Sequence, residues 1–242
     1  MDNLFLGNPY TIKIYDLVIR YSGLLMSGSN SDRSQEVFER KWSTYYNAVV
    51  GRPPRETLLT ALGNFELERL EDSITNTCVS KFAVDLGCGE GRDTVELLHH
   101  GWRVLAIDGE AEAITRLLER LDSDGQLLET LISRFECVTL PKSVDMVNAS
   151  FSLPFCLPEH FPELWKKITL SLREGGRFCG QLFGERDSWA IFPTITHHTR
   201  QQVEVLLQPF EIEMLEEEEH PGKTAIGEDK YWHLFHIVAR KK

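Results

Sequence analysis

The sequence predicts an α/β fold: a doubly wound, mostly parallel sheet with an antiparallel edge strand and an N-terminal helical cap. Three observations predict it. Short apolar segments alternate with amphipathic helical segments between residues 82 and 207, and the first apolar segment ends in a glycine-rich turn. Two further apolar segments close the chain with no helix between them. Strand–helix–strand units of this spacing form right-handed parallel crossovers, whereas two successive strands pair antiparallel.

The composition narrows the class of protein. The 242 residues are 42% hydrophobic and 26% charged, as in a globular domain with one sizeable core. No apolar run approaches the ~18 residues of a membrane span, and the N-terminus lacks the pattern of a signal peptide. We therefore expect a cytoplasmic protein with no membrane partner.

The charge and the cysteines argue against two other kinds of partner. A formal net charge of -11 argues against nucleic acid, because binding to DNA or RNA normally needs a basic face. The five cysteines contain no C-x-x-C pair, and His197, His198 and His220 lack a third ligand at useful spacing, so we expect no metal site. The expected partner is a small-molecule substrate, and we expect a monomer or a homodimer.

The N-terminal part of the chain is helical in pattern. We divide the chain into an N-terminal extension (1–34), a helical cap (35–75) and a main domain (76–242) that forms a single structural unit with the cap. The extension fits a strand or a helix equally well. The first cap helix is expected at 35–50, with one apolar face formed by Phe38, Trp42, Tyr45 and Val49. The second is expected at 55–70, with four leucines turned inward, Leu58, Leu59, Leu62 and Leu67.

The main domain alternates strands and helices. Strands are expected at 82–86, 103–107, 131–135, 144–149 and 176–183, and helices at 91–100, 110–121, 158–172 and 199–207. Two last strands, at 210–215 and 232–239, are expected to pair antiparallel at one edge of the sheet. We interpret the acidic run at 216–219 as a solvated turn.

The turn after the first predicted strand is the strongest candidate for a binding site. In a doubly wound sheet, ligands bind at the carboxyl ends of strands where the strand order reverses. Gly87 and Gly89, on either side of Cys88, let a ligand approach bare backbone, and the free N–H groups of the following helix favour a carboxylate. Asp85, at the end of the strand, can accept a hydrogen bond from an ammonium group.

An acid ends the second predicted strand. Asp108, followed by Gly109, can accept hydrogen bonds from both hydroxyls of a ribose. It comes 17 residues after Gly91, close to the spacing of about 20 that is seen in nucleoside-binding folds. Sites for a carboxylate, an ammonium group and a ribose together match S-adenosylmethionine.

A dinucleotide-binding dehydrogenase is the competing interpretation. It requires G-x-G-x-x-G/A, in which the third small residue lets the helix pack closely beneath a pyrophosphate. Here Arg92 occupies that third position, and Asp85 would face the pyrophosphate with a like charge. The pattern therefore favours the methyl donor over NAD.

Residues 84–91 resemble motif I of the class I S-adenosylmethionine-dependent methyltransferases, and Asp108 resembles their ribose-binding acid. Residues 172–178 resemble the later L-x-P-G-G turn, with Glu174 in place of the usual proline. The resemblance covers residues 82–183 and implies a Rossmann-like fold and S-adenosylmethionine as cofactor. Within this superfamily, residues 91–93 and the aromatic N-terminal helix look most like the branch of tellurite-resistance and thiopurine methyltransferases.

The resemblance implies further cofactor-binding residues. Arg92 would reach toward a carboxylate of the cofactor or substrate. Phe135 and Glu136 follow the third predicted strand, where such enzymes place a pair that contacts adenine, and Asn148 ends the fourth, where the transferred methyl would point. Trp42 and Tyr46, with Tyr45, would form a lid whose rings attract the sulfonium. Each of these residues also fits a plain structural role.

The residues that would meet the acceptor are less clearly marked. Phe151 and Phe155 follow the fourth strand, and Arg186 and Trp189 follow the fifth. The aromatic residues fit a substrate pocket or the core. We assign no catalytic residue, and the candidate proton acceptors are Glu185, Asp187, His197 and His198.

The sequence thus predicts an enzyme that transfers a methyl group in line from S-adenosylmethionine to a small-molecule acceptor. Soft nucleophiles need little assistance from a base, so the acceptor atom stays open among sulfur, nitrogen, oxygen and a metalloid. A non-catalytic S-adenosylmethionine-binding module is the alternative from another class, because fold and cofactor motif do not separate binding from turnover. An NAD-dependent oxidoreductase is the weaker alternative.

Overall fold

The computed structural model describes residues 42–71, 80–121 and 127–242. The N-terminal extension (1–34) and the first part of the predicted helix at 35–50, with Phe38, lie outside the described residues. No helix in the described ranges is both long enough and apolar enough to cross a bilayer.

The centre of the molecule is a mixed sheet with eight strands in the described residues. They are β1 Phe82–Leu86, β2 Arg103–Asp108, β3 Leu128–Ile132, β4 Val144–Ala149, β5 Leu172–Gly184, β6 His197–His198, β7 Phe210–Lys223 and β8 Asp229–Lys241. The order is β3-β2-β1-β4-β5-β8-β7, with β6 beside β5. β1 to β5 are parallel, whereas β8 runs antiparallel to both β5 and β7. The predicted doubly wound sheet with an antiparallel edge is confirmed, and its order reverses between β1 and β4.

Helices cover both faces of the sheet. They are α1 Trp42–Val49, α2 Glu56–Glu71, α3 Arg92–His99, α4 Ala111–Glu119, α5 Phe161–Ser171 and α6 Arg200–Leu206, with a short 3₁₀ turn at Leu153–Phe155. Alternate β1 residues face opposite layers, as the pleat requires. Val84 packs in the cluster that contains Trp165 of α5, and Ala83 in the cluster that contains Leu58 of α2.

The buried face of α2 differs in part from the prediction. Leu58 and Leu62 are buried as expected, but Leu59 and Leu67 are 42% and 61% exposed. Phe65 takes the inward position instead, against Trp102. Leu67 comes nine residues after Leu58, which is two and a half turns of a helix, so the two side chains point in opposite directions.

Two strand predictions are corrected. β3 spans Leu128–Ile132 rather than 131–135, because its parallel register pairs it with Val104–Asp108 of β2. As an edge strand it is largely exposed, so it lacks the apolar pattern that marks a buried strand. β7 and β8 are also longer than predicted, and 216–219 lie inside β7, paired with β8, rather than in a turn.

Candidate functional site

A cavity of about 570 Å³ opens at the carboxyl ends of β1, β2 and β4. Its volume lies within the usual range for small-molecule sites. α1 and the β7–β8 hairpin contribute to its walls. Most of the predicted site residues line it: Trp42, Tyr46, Asp85, Gly87, Cys88, Gly89, Arg92, Asp108, Gly109, Phe135, Glu136, Phe151, Phe155 and Trp189. Asn148 and Arg186 do not.

The glycine turn is fixed in the conformation that the sequence predicts. The backbone N–H groups of Gly87 and Cys88 donate to the carbonyl of Ile107 over 2.7 and 3.0 Å, which ties the turn to β2. Gly87 has a φ of +78°, and a Cβ there would lie 2.3 Å from Cβ of Ser152. Any side chain at this position would therefore clash, and the backbone stays bare toward the cavity.

Asp108 stands at the tip of β2 beside this turn. Its two carboxylate oxygens accept from the backbone N–H groups of Gly89 and Glu110, each over 2.9 Å. Burial raises the pKa of Asp108, and these backbone donors oppose the shift. Each carboxylate oxygen has a second lone pair, so the group can also accept from ribose hydroxyls.

Beneath the turn, two buried acids share one amide. Asn148 donates through Nδ2 to Asp85 over 2.9 Å and to Asp93 over 3.1 Å, and Thr94 donates to the other oxygen of Asp85 over 2.5 Å. Burial raises the pKa of Asp85, and the nearby charge of Asp93 raises it further. A cationic ligand group would relieve this repulsion. Asn148 is fully buried, so its predicted direct contact with the cofactor is replaced by a role in positioning the two acids.

Two arginines face the cavity beside these acids. Nη2 of Arg92 is buried and has no hydrogen-bond partner within the described part of the chain. Burial lowers the pKa of Arg55, and the charge of Arg92 lowers it further. The Arg55 guanidinium lies 4.2 Å from the ring centroid of Phe151. Two neighbouring guanidinium groups, one of which has an unsatisfied N–H donor, are suited to bind a carboxylate ligand.

α1 places an aromatic wall over the glycine turn. Trp42 stacks on Tyr46 with ring centroids 6.3 Å apart, and its edge meets Phe155 at 5.3 Å. Burial raises the pKa of Tyr46, and the nearby charge of Asp108 adds to the shift. Ser43 of α1 donates a hydrogen bond to Glu112 of α4, which holds the wall in place.

Phe135 and Glu136 follow β3 and line the cavity beside the glycine turn. The Phe135 ring approaches Gly87, with Cζ 3.4 Å from the point where a Cβ would stand. Glu136 forms an ion pair with Arg134 over 3.4 Å. Both line the cavity, as an adenine-contacting pair would.

The other end of the cavity is aromatic. Phe155 packs near Phe183 and Trp189, and Trp232 of β8 lies 6.1 Å from Trp189 between centroids. These rings form a continuous apolar surface that leads away from the glycine turn. Phe151 contributes to it from the end of β4, in contact with Trp232.

The predicted role of Arg186 in the substrate pocket is wrong. Its guanidinium donates to Glu217 over 2.9 Å and to Glu219 over 3.0 Å, and it contacts His233. Glu217 and Glu219 alternate along β7 with Glu218, which lines the cavity, so Arg186 lies on the opposite face of the hairpin. Glu217, Glu219 and His233 lie close enough together to hold a metal ion, but the Arg186 guanidinium already supplies the positive charge there.

None of the four predicted proton acceptors lines the cavity. Asp187 is buried in an ion pair with Lys230, and Glu185 is exposed beside Arg186. His197 is exposed, whereas His198 is buried against the ring of Phe161. Burial, together with the nearby His197, lowers the pKa of His198 to about 4.

Sequence reasoning missed several residues that line the cavity, among them Arg55, Asp93, Gln181, Glu218, His220, Trp232 and His236. Of these residues, Asp93 was the easiest to predict from the sequence, because it adjoins Arg92 in the glycine motif. Trp232 and His236 share one face of β8, since alternate residues of a strand point the same way. That face could not be related to a site without knowing that β8 borders β5.

The glycine turn, the acid at the tip of β2 and the position at the switch point of the sheet define a Rossmann-like protein with a site for a nucleoside cofactor. A family model described as "Methyltransferase domain" matches residues 83–176. The matched residues form a methyltransferase domain with the class I, Rossmann-like fold, and S-adenosylmethionine is the cofactor of such domains.

Solved structures share this fold at low sequence identity. TehB from Haemophilus influenzae aligns with a TM-score of 0.60 and 17% identity over 74% of this chain and 62% of its own, so the match spans less than two thirds of that protein. The 1,6-didemethyltoxoflavin-N1-methyltransferase of Burkholderia thailandensis, solved with its substrate and S-adenosylhomocysteine, gives 0.52 and 19% over 76% and 88%. The magnesium protoporphyrin IX methyltransferase of Synechocystis, solved with S-adenosylmethionine, gives 0.56 and 10% over 89% and 100%. Among curated proteins, none matches this chain.

Proposed function

We propose that this chain transfers a methyl group in line from S-adenosylmethionine to a small-molecule acceptor. One observation carries the proposal: the cofactor-type end and the aromatic end belong to a single cavity of about 570 Å³. A donor held at the glycine turn and an acceptor held among the rings would lie in the same cavity. Two of the structurally similar proteins, from Burkholderia and Synechocystis, are methyltransferases named for ring compounds, which supports an acceptor of that kind.

Different residues would bind different groups of the cofactor. Asp108 would accept from the ribose hydroxyls, while Asp85 and Asp93 would attract the ammonium group of the cofactor. The unsatisfied Nη2 of Arg92 would receive its carboxylate or that of an anionic acceptor. The sulfonium supplies a methyl group with its leaving group already in place, so alignment and exclusion of water are the main tasks of the chain.

Trp42 and Tyr46 would close over the sulfonium as a lid. Both line the cavity, and their rings supply the attraction for a cation that is shielded from water. The presence of Arg92 and of an aromatic α1 is also the basis for proposing the tellurite-resistance and thiopurine branch.

Transfer of tritium tests the activity. Purified protein, tritiated S-adenosylmethionine and a small-molecule extract should yield a labelled product that a boiled-protein control does not yield. A protein that binds S-adenosylhomocysteine but labels nothing across several extracts would instead be a binding module. Binding of NAD in preference to S-adenosylhomocysteine by calorimetry would favour the oxidoreductase.

Asp108→Ala tests the cofactor site. It should weaken binding of S-adenosylhomocysteine by about 1–3 kcal/mol, because the ribose hydrogen bonds are lost. Calorimetry measures the change, and Glu119→Ala, at the exposed end of α4, is the matched control. Equal affinity of Asp108→Ala and the wild-type protein would remove Asp108 from the site.

A further inference from the structure

One carboxylate on the β7–β8 hairpin is flanked by two histidines that line the cavity. Nε2 of His236 lies 2.7 Å from Oε2 of Glu218, and Nε2 of His220 lies 3.0 Å from Oε1. All three side chains line the cavity. We refer to Glu218, His220 and His236 as the hairpin cluster.

The hairpin cluster borders the aromatic end of the cavity. His236, Leu234 and Trp232 occupy alternate positions of β8 and line the cavity together. The ring of Phe151, which follows the carboxyl end of β4, lies 6.4 Å from the ring of His236 between centroids. The cluster therefore stands beside the space that an acceptor would fill, at the strand end toward which the methyl group would point.

The hydrogen bonds fix the tautomer of His236. An ionised carboxylate only accepts hydrogen bonds, so Nε2 of His236 carries the proton that Glu218 receives. In the neutral ring, Nδ1 then holds a free electron pair and is the basic atom. A carboxylate that orients an imidazole in this way also stabilises the imidazolium that forms when the ring takes up a proton.

His220 is held differently. Its Nδ1 lies 3.0 Å from the carbonyl oxygen of Pro221, which can only accept, so Nδ1 is a donor. Its other nitrogen points to Glu218. Among the described residues, both ring nitrogens of His220 have a partner, whereas Nδ1 of His236 has none and can receive a proton from an acceptor.

We propose that His236, oriented by Glu218, is the general base of the transfer and that the acceptor is a protic hydroxyl or amine. This inference rests on the proposed function. A bond forms between the acceptor atom and the methyl carbon, and the carbon–sulfur bond breaks with its electron pair left on sulfur. The acceptor's proton passes to Nδ1 of His236, giving an imidazolium paired with Glu218, and leaves later to water.

The groups around His236 suit this role. On β7, Glu218 faces it and His220 lies on the far side of that carboxylate. On the β4 side it meets the Phe151 ring, over which the Arg55 guanidinium lies, and β5 places the neutral Gln181 beside its backbone. A thiolate or a metalloid oxyanion is already a nucleophile and has no use for such a base.

Two acceptors that share one ring test the inference. 2-Naphthol holds its proton near neutral pH, whereas 2-naphthalenethiol is readily ionised there. His236→Gln keeps a donor near Glu218 but removes the base. It should slow transfer to naphthol by about 10²–10⁴-fold and flatten the acid side of the pH–rate profile. Transfer to the thiol should change by less than about threefold.

Two further variants sharpen the experiment. Glu218→Gln removes the orienting charge, so kcat for naphthol should fall while KM stays nearly constant, and the acid side of the profile should shift. His100→Gln alters an exposed histidine that pairs with Glu96 over 3.2 Å away from the cavity, and it should leave both rates unchanged. Binding of S-adenosylhomocysteine by each variant shows that it is folded.

The inference is wrong if His236→Gln slows both acceptors equally, if it slows neither, or if the wild-type protein methylates only the thiol. Where neither naphthyl compound is a substrate, the same variants are compared on the labelled products of the extract assay, and retention of those products by His236→Gln overturns the inference. Absence of any labelled product from the wild-type protein is a different result, and it contradicts the proposed function itself.

Discussion

Single side chains show how the cavity is prepared for charged ligands. Asp85 and Asp93 are buried together, and the amide of Asn148 donates a hydrogen bond to each. A cation that enters the site would replace the repulsion between the two acids with an attraction. Arg55 and Arg92 form the corresponding cationic pair for an anion. The sequence indicated Asp85 and Arg92 because they belong to a local motif, but it did not indicate their partners, which come from distant segments.

His198 is a second buried titratable group, and it gives a prediction for stability. Burial holds its pKa at about 4, against an ordinary value of 6.5. The unfolded chain therefore binds more protons between these two values, and His198 reduces stability as pH falls through this range. Between pH 7 and about pH 4, this one group should cost about 3 kcal/mol.

His198→Leu should remove that component of acid sensitivity. Urea denaturation at pH 7 and at about pH 4 would measure it: the wild-type protein should lose more stability than the variant by about 3 kcal/mol. His99→Leu changes an exposed histidine at the end of α3 and serves as the control. If wild type and His198→Leu lose stability in parallel, His198 is not buried as a neutral ring.

At the scale of elements, α2 is joined to the sheet by a buried guanidinium. Arg177 of β5 donates to Glu68 of α2 over 2.7 and 3.0 Å and to Glu213 of β7 over 2.7 Å. It also lies 4.3 Å from the ring centroid of Phe65. Periodicity predicted the helix at 55–70, but it did not predict this contact, because a charged residue in a strand offers no pattern that reveals its partners.

Arg177→Leu should destabilise the protein by about 3 kcal/mol, since it leaves Glu213 and Glu68 without their shared partner. Arg69→Leu removes an exposed pair with Glu66 on the same helix and should change stability by less than about 0.5 kcal/mol. Urea denaturation of both variants makes the comparison. Similar small losses in both would mean that the Arg177 network adds little to the docking of α2.

The β7–β8 hairpin shows where element prediction failed. The sequence predicted short strands at 210–215 and 232–239, whereas β7 continues to Lys223 and β8 already begins at Asp229. The acidic residues in the middle of β7 were predicted to be exposed to solvent, and they are exposed. They nevertheless belong to the sheet, because their backbone pairs with β8. The extension of β7 brings Glu218 to the cavity beside His236, which lies in the part of β8 that was predicted. The acceptor end therefore depended in part on residues that the pattern concealed.

In the molecule as a whole, the cavity draws its walls from segments that are far apart in the chain: α1, the glycine turn, the end of β4, the end of β5 and the hairpin. A ligand that binds across these segments stabilises only the folded state. Its effect on unfolding therefore reports on the whole arrangement rather than on one contact.

S-Adenosylhomocysteine at about 100 times its Kd should add about 2.7 kcal/mol of stability, which raises Tm by about 5–11 °C for a chain of this size. NAD at the same concentration should leave Tm unchanged, since Arg92 takes the place of the third glycine. Thermal denaturation followed by fluorescence or calorimetry measures both. A larger shift with NAD would contradict the cofactor assignment.

The sequence by itself determined the fold class and the cofactor. Both follow from local signals: the alternation of strands and helices, and a glycine turn whose backbone conformation and neighbouring acids lie within 27 residues, from 82 to 108. Only the tertiary structure decided the acceptor end, where Phe151, Trp189, Glu218 and His236 meet. Such contacts depend on strand order and on the facing of edge strands, and a pattern along one segment does not encode which distant segment lies beside it.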